Sequence, residues 1–73
     1  MNNNTVVGLT ENGRIIAAEG YSGGQSVILT KLEEGNMSIG KISQDTGIDA
    51  RTVAILVNKM ASQGLVRPVG ISQ

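Results

Sequence analysis

The chain has 73 residues, with six basic and six acidic side chains and a formal net charge of zero. It contains neither Cys nor His, which excludes disulfides, thiolate zinc sites and the commonest transition-metal sites. Zero net charge argues against a strongly electrostatic nucleic-acid binder, because neutralisation of phosphates supplies most non-specific affinity.

A chain of this length forms one domain, near the lower size limit for a core without disulfides or metals. We therefore interpret residues 1–73 as a single domain, with residues 1–4 and 72–73 disordered. The start of the chain lacks a basic segment followed by an apolar run, and no apolar stretch approaches the length of a bilayer span. We expect a cytoplasmic protein with no membrane contact.

The first half of the chain predicts a strand, two helices and a short second strand. In chain order these elements cover residues 5–9, 10–19, 25–34 and 37–38. Thr10 is a favourable N-cap for the first helix, and Gly20 ends it. The second helix carries Ile28, Leu29 and Leu32 at helical spacing, which indicates a buried face.

The second half predicts two helices joined by a tight turn and followed by a strand. The helices cover residues 38–46 and 50–63, and the strand covers residues 65–71. Gly47 can adopt the positive φ that ends the first helix, and Asp49 can cap the second through its carboxylate. Pro68 cannot donate to a ladder, so the last strand should lie at a sheet edge.

The two-helix segment has the spacing of a helix-turn-helix, in which a small residue, a glycine and a β-branched residue occur in order. Here these are Ser43, Gly47 and Val53. The second helix of such a motif commonly enters the DNA major groove. An αα-corner without any ligand is the alternative interpretation.

The long helix is predicted to have one buried and one exposed face. The buried face consists of Val53, Leu56, Val57 and Met60. The exposed face consists of Arg51, Ile55, Asn58 and Ser62, with Thr52 and Lys59 at its edges. Up to Glu34 the chain has two basic and four acidic residues, whereas from Gly35 onward it has four basic and two acidic residues. The positive charge therefore lies in the half that contains the two-helix segment.

With its elements placed, the chain resembles a MarR-like winged helix-turn-helix, a mainly α fold with a small β-sheet. In that family the second wing strand commonly runs into a helix through the sequence Leu-Thr-x-x-Gly-Arg, which residues 9–14 match. The resemblance implies that residues 5–9 pair antiparallel with residues 65–69, with Val7 in contact with Val66. The wing would then be formed by the N-terminal and C-terminal strands, as in a circular permutation.

The chain from Leu9 to Val66 is also similar to the winged-helix modules at the start of the α subunit of archaeal and eukaryotic phenylalanyl-tRNA synthetases. The similar segments are Leu9-Thr10-x-x-Gly13-Arg14, Glu19-Gly20, Leu29-x-x-Leu32-Glu33-Glu34-Gly35 and Gly64-Leu65-Val66. The chain departs from those modules at residues 21–24, where Tyr-Ser-Gly-Gly replaces a usual Leu-Pro-Glu-Arg. This resemblance implies an accessory module that contacts tRNA or DNA.

We expect a small transcriptional regulator that binds double-stranded DNA, with helix 50–63 in the major groove. The expected nucleic-acid-binding residues are Lys41, Ala50, Arg51, Thr52, Ile55, Asn58, Lys59 and Arg67. Arg51 can reach a guanine edge with two hydrogen bonds, and Asn58 can read adenine. Equally well, Arg51 is a solvated residue that pairs locally with Asp49, and Asn58 is simply exposed. With so few cations, tight binding would require a homodimer or a larger assembly.

Ile55 keeps a second interpretation open. An exposed isoleucine on such a helix either contacts a thymine methyl group or belongs to a protein interface. The exposed isoleucine thus favours a protein-interaction domain that never touches nucleic acid, while the resemblance to the synthetase modules leaves a tRNA-contacting module as the other alternative. We expect no enzymatic activity, metal or cofactor, because His and Cys are missing and the adjacent carboxylates of Glu33 and Glu34 lie at a helix end.

Overall fold

The computed structural model describes residues 2–20 and 23–71. In chain order these residues form β1 (Thr5–Leu9), α1 (Glu11–Glu19), α2 (Gly24–Leu32), β2 (Met37–Ser38), α3 (Ile39–Thr46), α4 (Ala50–Ser62) and β3 (Val66–Ile71). The described part of the chain is thus a mixed α/β domain with four helices and one small antiparallel sheet of three strands.

Part of the expected disorder and of the expected linker lies outside the described residues, namely residues 1, 21, 22, 72 and 73. Residues 2–4 form a turn before β1. In this turn the Asn4 N–H donates to the side-chain oxygen of Asn2 at 2.8 Å, and the Asn3 carbonyl accepts from the Gly40 N–H at 2.9 Å. The turn therefore lies against the start of α3.

The sheet has the strand order β2–β1–β3, so the first strand is central and pairs with the last. The expected antiparallel pairing of the two end strands is confirmed. In the observed register Val7 pairs with Pro68, whereas Val66 pairs with Leu9. This register follows from the start of the ladder, where the Thr10 N–H donates to the Leu65 carbonyl at 3.0 Å.

β3 lies at an edge of the sheet, as Pro68 requires. The pairing is interrupted by a bulge, because Val6 pairs with Gly70 and Val7 with Pro68, which leaves Val69 without a partner. The ladder therefore ends at Ile71 rather than at Val69: one of the two extra residues comes from the register that pairs Leu9 with Val66, and the other from the bulge. A proline and a bulge on the same edge oppose the addition of a further strand.

The core is built from aliphatic side chains and one methionine, as the composition required. Its buried residues are Val7, Ile28, Leu29, Leu32, Ile39, Ile42, Val53, Val57, Met60 and Val66. The predicted inclusion of Leu56 is wrong, because this side chain is only half-buried. Leu56 lies at the rim of the core, beneath the start of α2, where a Cβ added to Gly24 would be 3.2 Å from a Leu56 methyl carbon.

The helix boundaries differ from the predicted ones by one or two residues. Ser38 is the N-cap of α3 rather than part of it, and its hydroxyl accepts from the Lys41 N–H at 3.1 Å. α2 ends at Leu32 and α4 at Ser62, each earlier than the apolar pattern predicted. In the described part of the chain, every helix is too short or too polar to cross a membrane.

Helix α1 is joined to the α4–β3 connection through its N-cap. The Thr10 hydroxyl accepts from the Gly13 N–H at 3.0 Å and donates to the Gly64 carbonyl at 2.6 Å. Gly13 packs directly against the backbone of Leu65, since an added Cβ would be 1.9 Å from the Leu65 carbonyl oxygen. Only glycine therefore allows the first turn of α1 to approach β3 this closely.

This contact predicts that replacing Gly13 with alanine destabilises the protein, whereas the same replacement usually stabilises a helix. In an uncrowded helix, Gly→Ala stabilises by about 0.5–1 kcal/mol. We expect Gly13→Ala instead to lower the free energy of unfolding by about 1–3 kcal/mol, because the added methyl group forces α1 away from Leu65. Urea unfolding followed by far-UV circular dichroism measures this change.

Gly70→Ala is the matched control, because no atom lies within 4 Å of its added Cβ. We expect its midpoint of urea unfolding to equal or exceed that of the wild type. A Gly13→Ala variant as stable as Gly70→Ala would contradict the close packing of α1 on Leu65.

Candidate nucleic-acid interface

The turn between α3 and α4 fixes the start of the long helix. Gly47 has φ 77° and ψ 3°, in the left-handed region, and its N–H donates to the Ser43 carbonyl at 2.9 Å. The Asp49 carboxylate accepts from the N–H groups of Arg51 and Thr52 at 3.0 and 3.3 Å, and also from the Thr52 hydroxyl. Both predicted roles, the helix stop at Gly47 and the cap at Asp49, are confirmed.

The cap at Asp49 carries a negative charge at neutral pH. The hydrogen bond from the Thr52 hydroxyl is the main cause that lowers the pKa of Asp49 below its ordinary value of 3.8. The N–H groups of Thr52 and Arg51 and the charge of the Arg51 side chain lower this pKa further. An anion at this position is favourable, because the N-terminus of a helix carries partial positive charge.

Helix α4 has one face in the core and one face in solvent. Val53, Val57 and Met60 are completely buried, and they hold the helix against the rest of the domain. The exposed face consists of Arg51, Thr52, Ile55, Asn58, Lys59 and Ser62. The predicted exposed face is therefore confirmed as exposed. Ala50 is half-buried and packs against the core rather than standing on this face.

Ile55 lies near the middle of the exposed face and is 60% exposed. Its neighbours one helical turn away, Arg51 and Lys59, are both charged and exposed. The face therefore combines one apolar side chain with cations and the Asn58 amide. Such a mixture can contact both the edge and the methyl group of bases in a major groove.

The cations of the expected site differ in how they are paired. Within residues 2–20 and 23–71, Arg51, Lys59 and Arg67 have no carboxylate oxygen within 4 Å. The alternative interpretation of Arg51, a local ion pair with Asp49, therefore does not describe this structure.

Lys41, by contrast, pairs with Asp45 on the same helix, with 3.1 Å between Nζ and Oδ1. Asp45 also lies 3.6 Å from the Nζ of Lys31, which in turn is 3.1 Å from Glu34. The hydrogen bond from Lys41 is the main cause that lowers the pKa of Asp45. Lys41 is therefore partly neutralised, and it is the weakest of the expected phosphate contacts.

Arg14 was not among the residues that the sequence indicated, yet it lies beside one that was. A cleft between α1 and β3 is lined by Leu9, Thr10, Glu11, Arg14 and Arg67. The predicted pairing of residues 5–9 with residues 65–69 already indicated that Arg14 lies near Arg67, because this pairing brings the end of β1 next to Arg67. The first turn of α1 follows directly and carries Arg14 to the same place.

The lowered pKa values of Asp49 and Asp45 predict a loss of stability in acid. The stabilisation from each ionised carboxylate is present above its unfolded pKa, near the ordinary 3.8. It is lost as the pH falls through the still lower pKa of the folded state. We expect Asp49→Asn, which keeps a capping oxygen but no charge, to lose less stability than the wild type between about pH 5 and pH 2. Urea unfolding at several pH values measures the difference.

Asp49→Ala is the control for the cap itself. It removes the capping oxygen, so we expect it to be less stable than Asp49→Asn at neutral pH. Parallel pH profiles for the wild type and Asp49→Asn would show that the charge of this carboxylate does not contribute to stability.

Comparison with known proteins identifies no relative of this chain. No protein-family model matches it, and searches of curated proteins and of solved structures also returned no match.

Proposed function

We propose that the chain is a winged-helix domain that binds double-stranded DNA as a small transcriptional regulator, with α4 in the major groove. The exposed face of α4 is the observation that carries this proposal. On that face Arg51, Asn58 and Lys59 project into solvent from a helix whose opposite side is fixed in the core. A rigid helix with unpaired hydrogen-bond donors is suited to reading base edges.

The order of the elements supports the winged-helix interpretation. A short strand precedes the two helices, and β3 follows them directly, as the first strand of a wing would. The returning strand of the wing is supplied by β1, which pairs antiparallel with β3. This arrangement agrees with the permuted order that the Leu9–Arg14 sequence implies.

The dimensions of α4 suit a major groove. An α-helix with its side chains is about 10–12 Å in diameter, and the groove is about 12 Å wide. The 13 residues of α4 span about 20 Å at 1.5 Å per residue. Arg51 and Asn58 are separated by about 10 Å along the helix axis, or roughly three base-pair steps of 3.4 Å. The helix can therefore place Arg51, Ile55 and Asn58 within a run of about four base pairs.

The number of cations limits the affinity of a single copy. Arg51, Lys59 and Arg67 have no carboxylate partner in the described part of the chain, and Lys41 shares its charge with Asp45. Each neutralised phosphate contributes about −0.9 to the slope of log affinity against log salt. One domain should therefore show a slope of about −3, and specific binding would require a homodimer or a larger assembly.

Arg51→Ala tests this function. We expect it to weaken binding to duplexes selected from a random pool by about 5- to 150-fold, because a bidentate contact to guanine is lost. Arg51→Lys is the matched variant, since it keeps the charge but not the planar fork. It should retain the salt slope and lose sequence preference. Mobility-shift assays at low and moderate salt measure both quantities.

The proposal is wrong if the wild type shifts no duplex DNA at low salt and Arg51→Ala changes nothing. Unlabelled tRNA in the same assay distinguishes the tRNA-contacting alternative, because tRNA would then compete better than duplex DNA. Binding that prefers tRNA would replace the proposed regulator by a tRNA-contacting module.

The exposure of Ile55 favours a second candidate function, in which the same face docks on a second protein copy. In that case Ile55→Asp should abolish self-association, because a charge cannot be buried unpaired in the interface. Sedimentation equilibrium measures this change, and Ser62→Asp is a control on the last turn of the same face. A wild type that stays monomeric at high concentration would contradict this second function.

A further inference from the structure

We propose that Arg14 of α1 and Arg67 of β3 together form a phosphate-binding cleft that holds the backbone of the duplex contacted by α4. The inference rests on the proposed function and adds a contact that the two-helix segment does not contain. The ligand is a phosphodiester group of double-stranded DNA.

The cleft is built by the contact between α1 and the start of β3. Thr10 is bonded to the Gly64 and Leu65 carbonyls, and Gly13 lies directly on Leu65. Arg14 follows Gly13 in the sequence, and Arg67 lies two residues after Leu65. The two guanidinium groups are thereby brought to one cleft by contacts of Thr10 and Gly13 that involve neither of them.

Neither guanidinium group has a partner within the part of the chain that the structure describes. Neither makes a side-chain hydrogen bond there, and neither has a carboxylate oxygen within 4 Å. Each carries five N–H donors in a planar fork, which matches the oxygen atoms of a phosphate. Two like charges at one cleft repel each other, and an anion bound between them relieves that repulsion.

Glu11 also lines the cleft, and its negative charge opposes the binding of a phosphate. Its carboxylate makes no ion pair with Arg14 or Arg67. Two arginines and one glutamate give the cleft a net positive charge. A bound phosphate would be repelled by Glu11 while it is attracted by the two arginines. Removal of the Glu11 charge should therefore strengthen binding.

The position of the cleft indicates the backbone of the same duplex rather than a separate ligand. Thr10 connects the cleft to Gly64, two residues after the end of α4. Lys59 lies on the last turns of the same helix and is exposed. A duplex that accepts α4 in its major groove has phosphates along both borders of that groove. The described residues that line the cleft include no aromatic side chain on which a base could stack.

Arg14→Ala is the direct test. We expect it to weaken duplex binding by about three- to tenfold, and to reduce the magnitude of the salt slope by about 0.9, as the loss of one phosphate contact requires. Arg14→Lys keeps the charge, so it should retain the slope of the wild type. Since Arg14 is exposed, far-UV circular dichroism and urea midpoints should be unchanged in both variants.

Glu11→Gln and Glu19→Gln form a matched pair. Both carboxylates lie on α1, at its two ends, and each substitution raises the net charge by one. Only Glu11 lines the cleft. We expect Glu11→Gln to increase duplex affinity about two- to fivefold more than Glu19→Gln does at low salt.

Three results would overturn the inference. If Arg51→Ala weakens binding while Arg14→Ala keeps the affinity and slope of the wild type, the cleft is not a phosphate site and the proposed function remains. Equal gains from Glu11→Gln and Glu19→Gln would show a general effect of net charge and no cleft. If the wild type binds no duplex at low salt, the cleft and the proposed function are both wrong.

Discussion

The ladder between β1 and β3 is the interaction on which the rest of the domain depends. It makes the first strand the centre of the sheet and carries Val7 and Val66 into the core. It also leads directly into Thr10, whose hydrogen bonds attach α1 to the end of α4. A single antiparallel pairing therefore positions the sheet and the outer helix together, and it creates the cleft between them.

Helix α4 both anchors itself in the core and exposes polar side chains to solvent, because its two faces differ in composition. Three of its side chains are fully buried, and the opposite side carries a mixture of cations, an amide and Ile55. The Asp49 cap and the Gly47 turn fix where this helix begins. The proposed reading of DNA therefore needs no rearrangement of the domain, only a duplex that fits the exposed face.

Features with a local cause could be predicted from the sequence. The turn at Gly47, the caps at Thr10 and Asp49, and the exposed face of α4 each depend on residues within a few positions of one another. The pairing of the end strands was also predicted, although this came from the resemblance of residues 9–14 to a wing junction rather than from the strands themselves.

Features that depend on contacts between distant segments could not be predicted. The bulge at Val69 is one example: Pro68 and Gly70 are residue types that occur at bulges, but only the register with β1 shows that Val69 is the residue left without a partner. Leu56 is half-buried at the rim of the core, beneath the start of α2, and this position depends on how the two helices cross. Arg14 lies beside Arg67 only when β1 and β3 are paired, and the residue pattern of α1 alone does not indicate it.

The pairing of the first strand with the last has a consequence for how the polypeptide is made. A nascent chain leaves the ribosome from its N-terminus, so β1 emerges long before β3 is synthesised. Until then the only described strand available to β1 is β2, which has two residues. β1 can therefore complete its ladder only after almost the whole domain has been translated, and pairing between segments so distant in sequence forms more slowly than local contacts do.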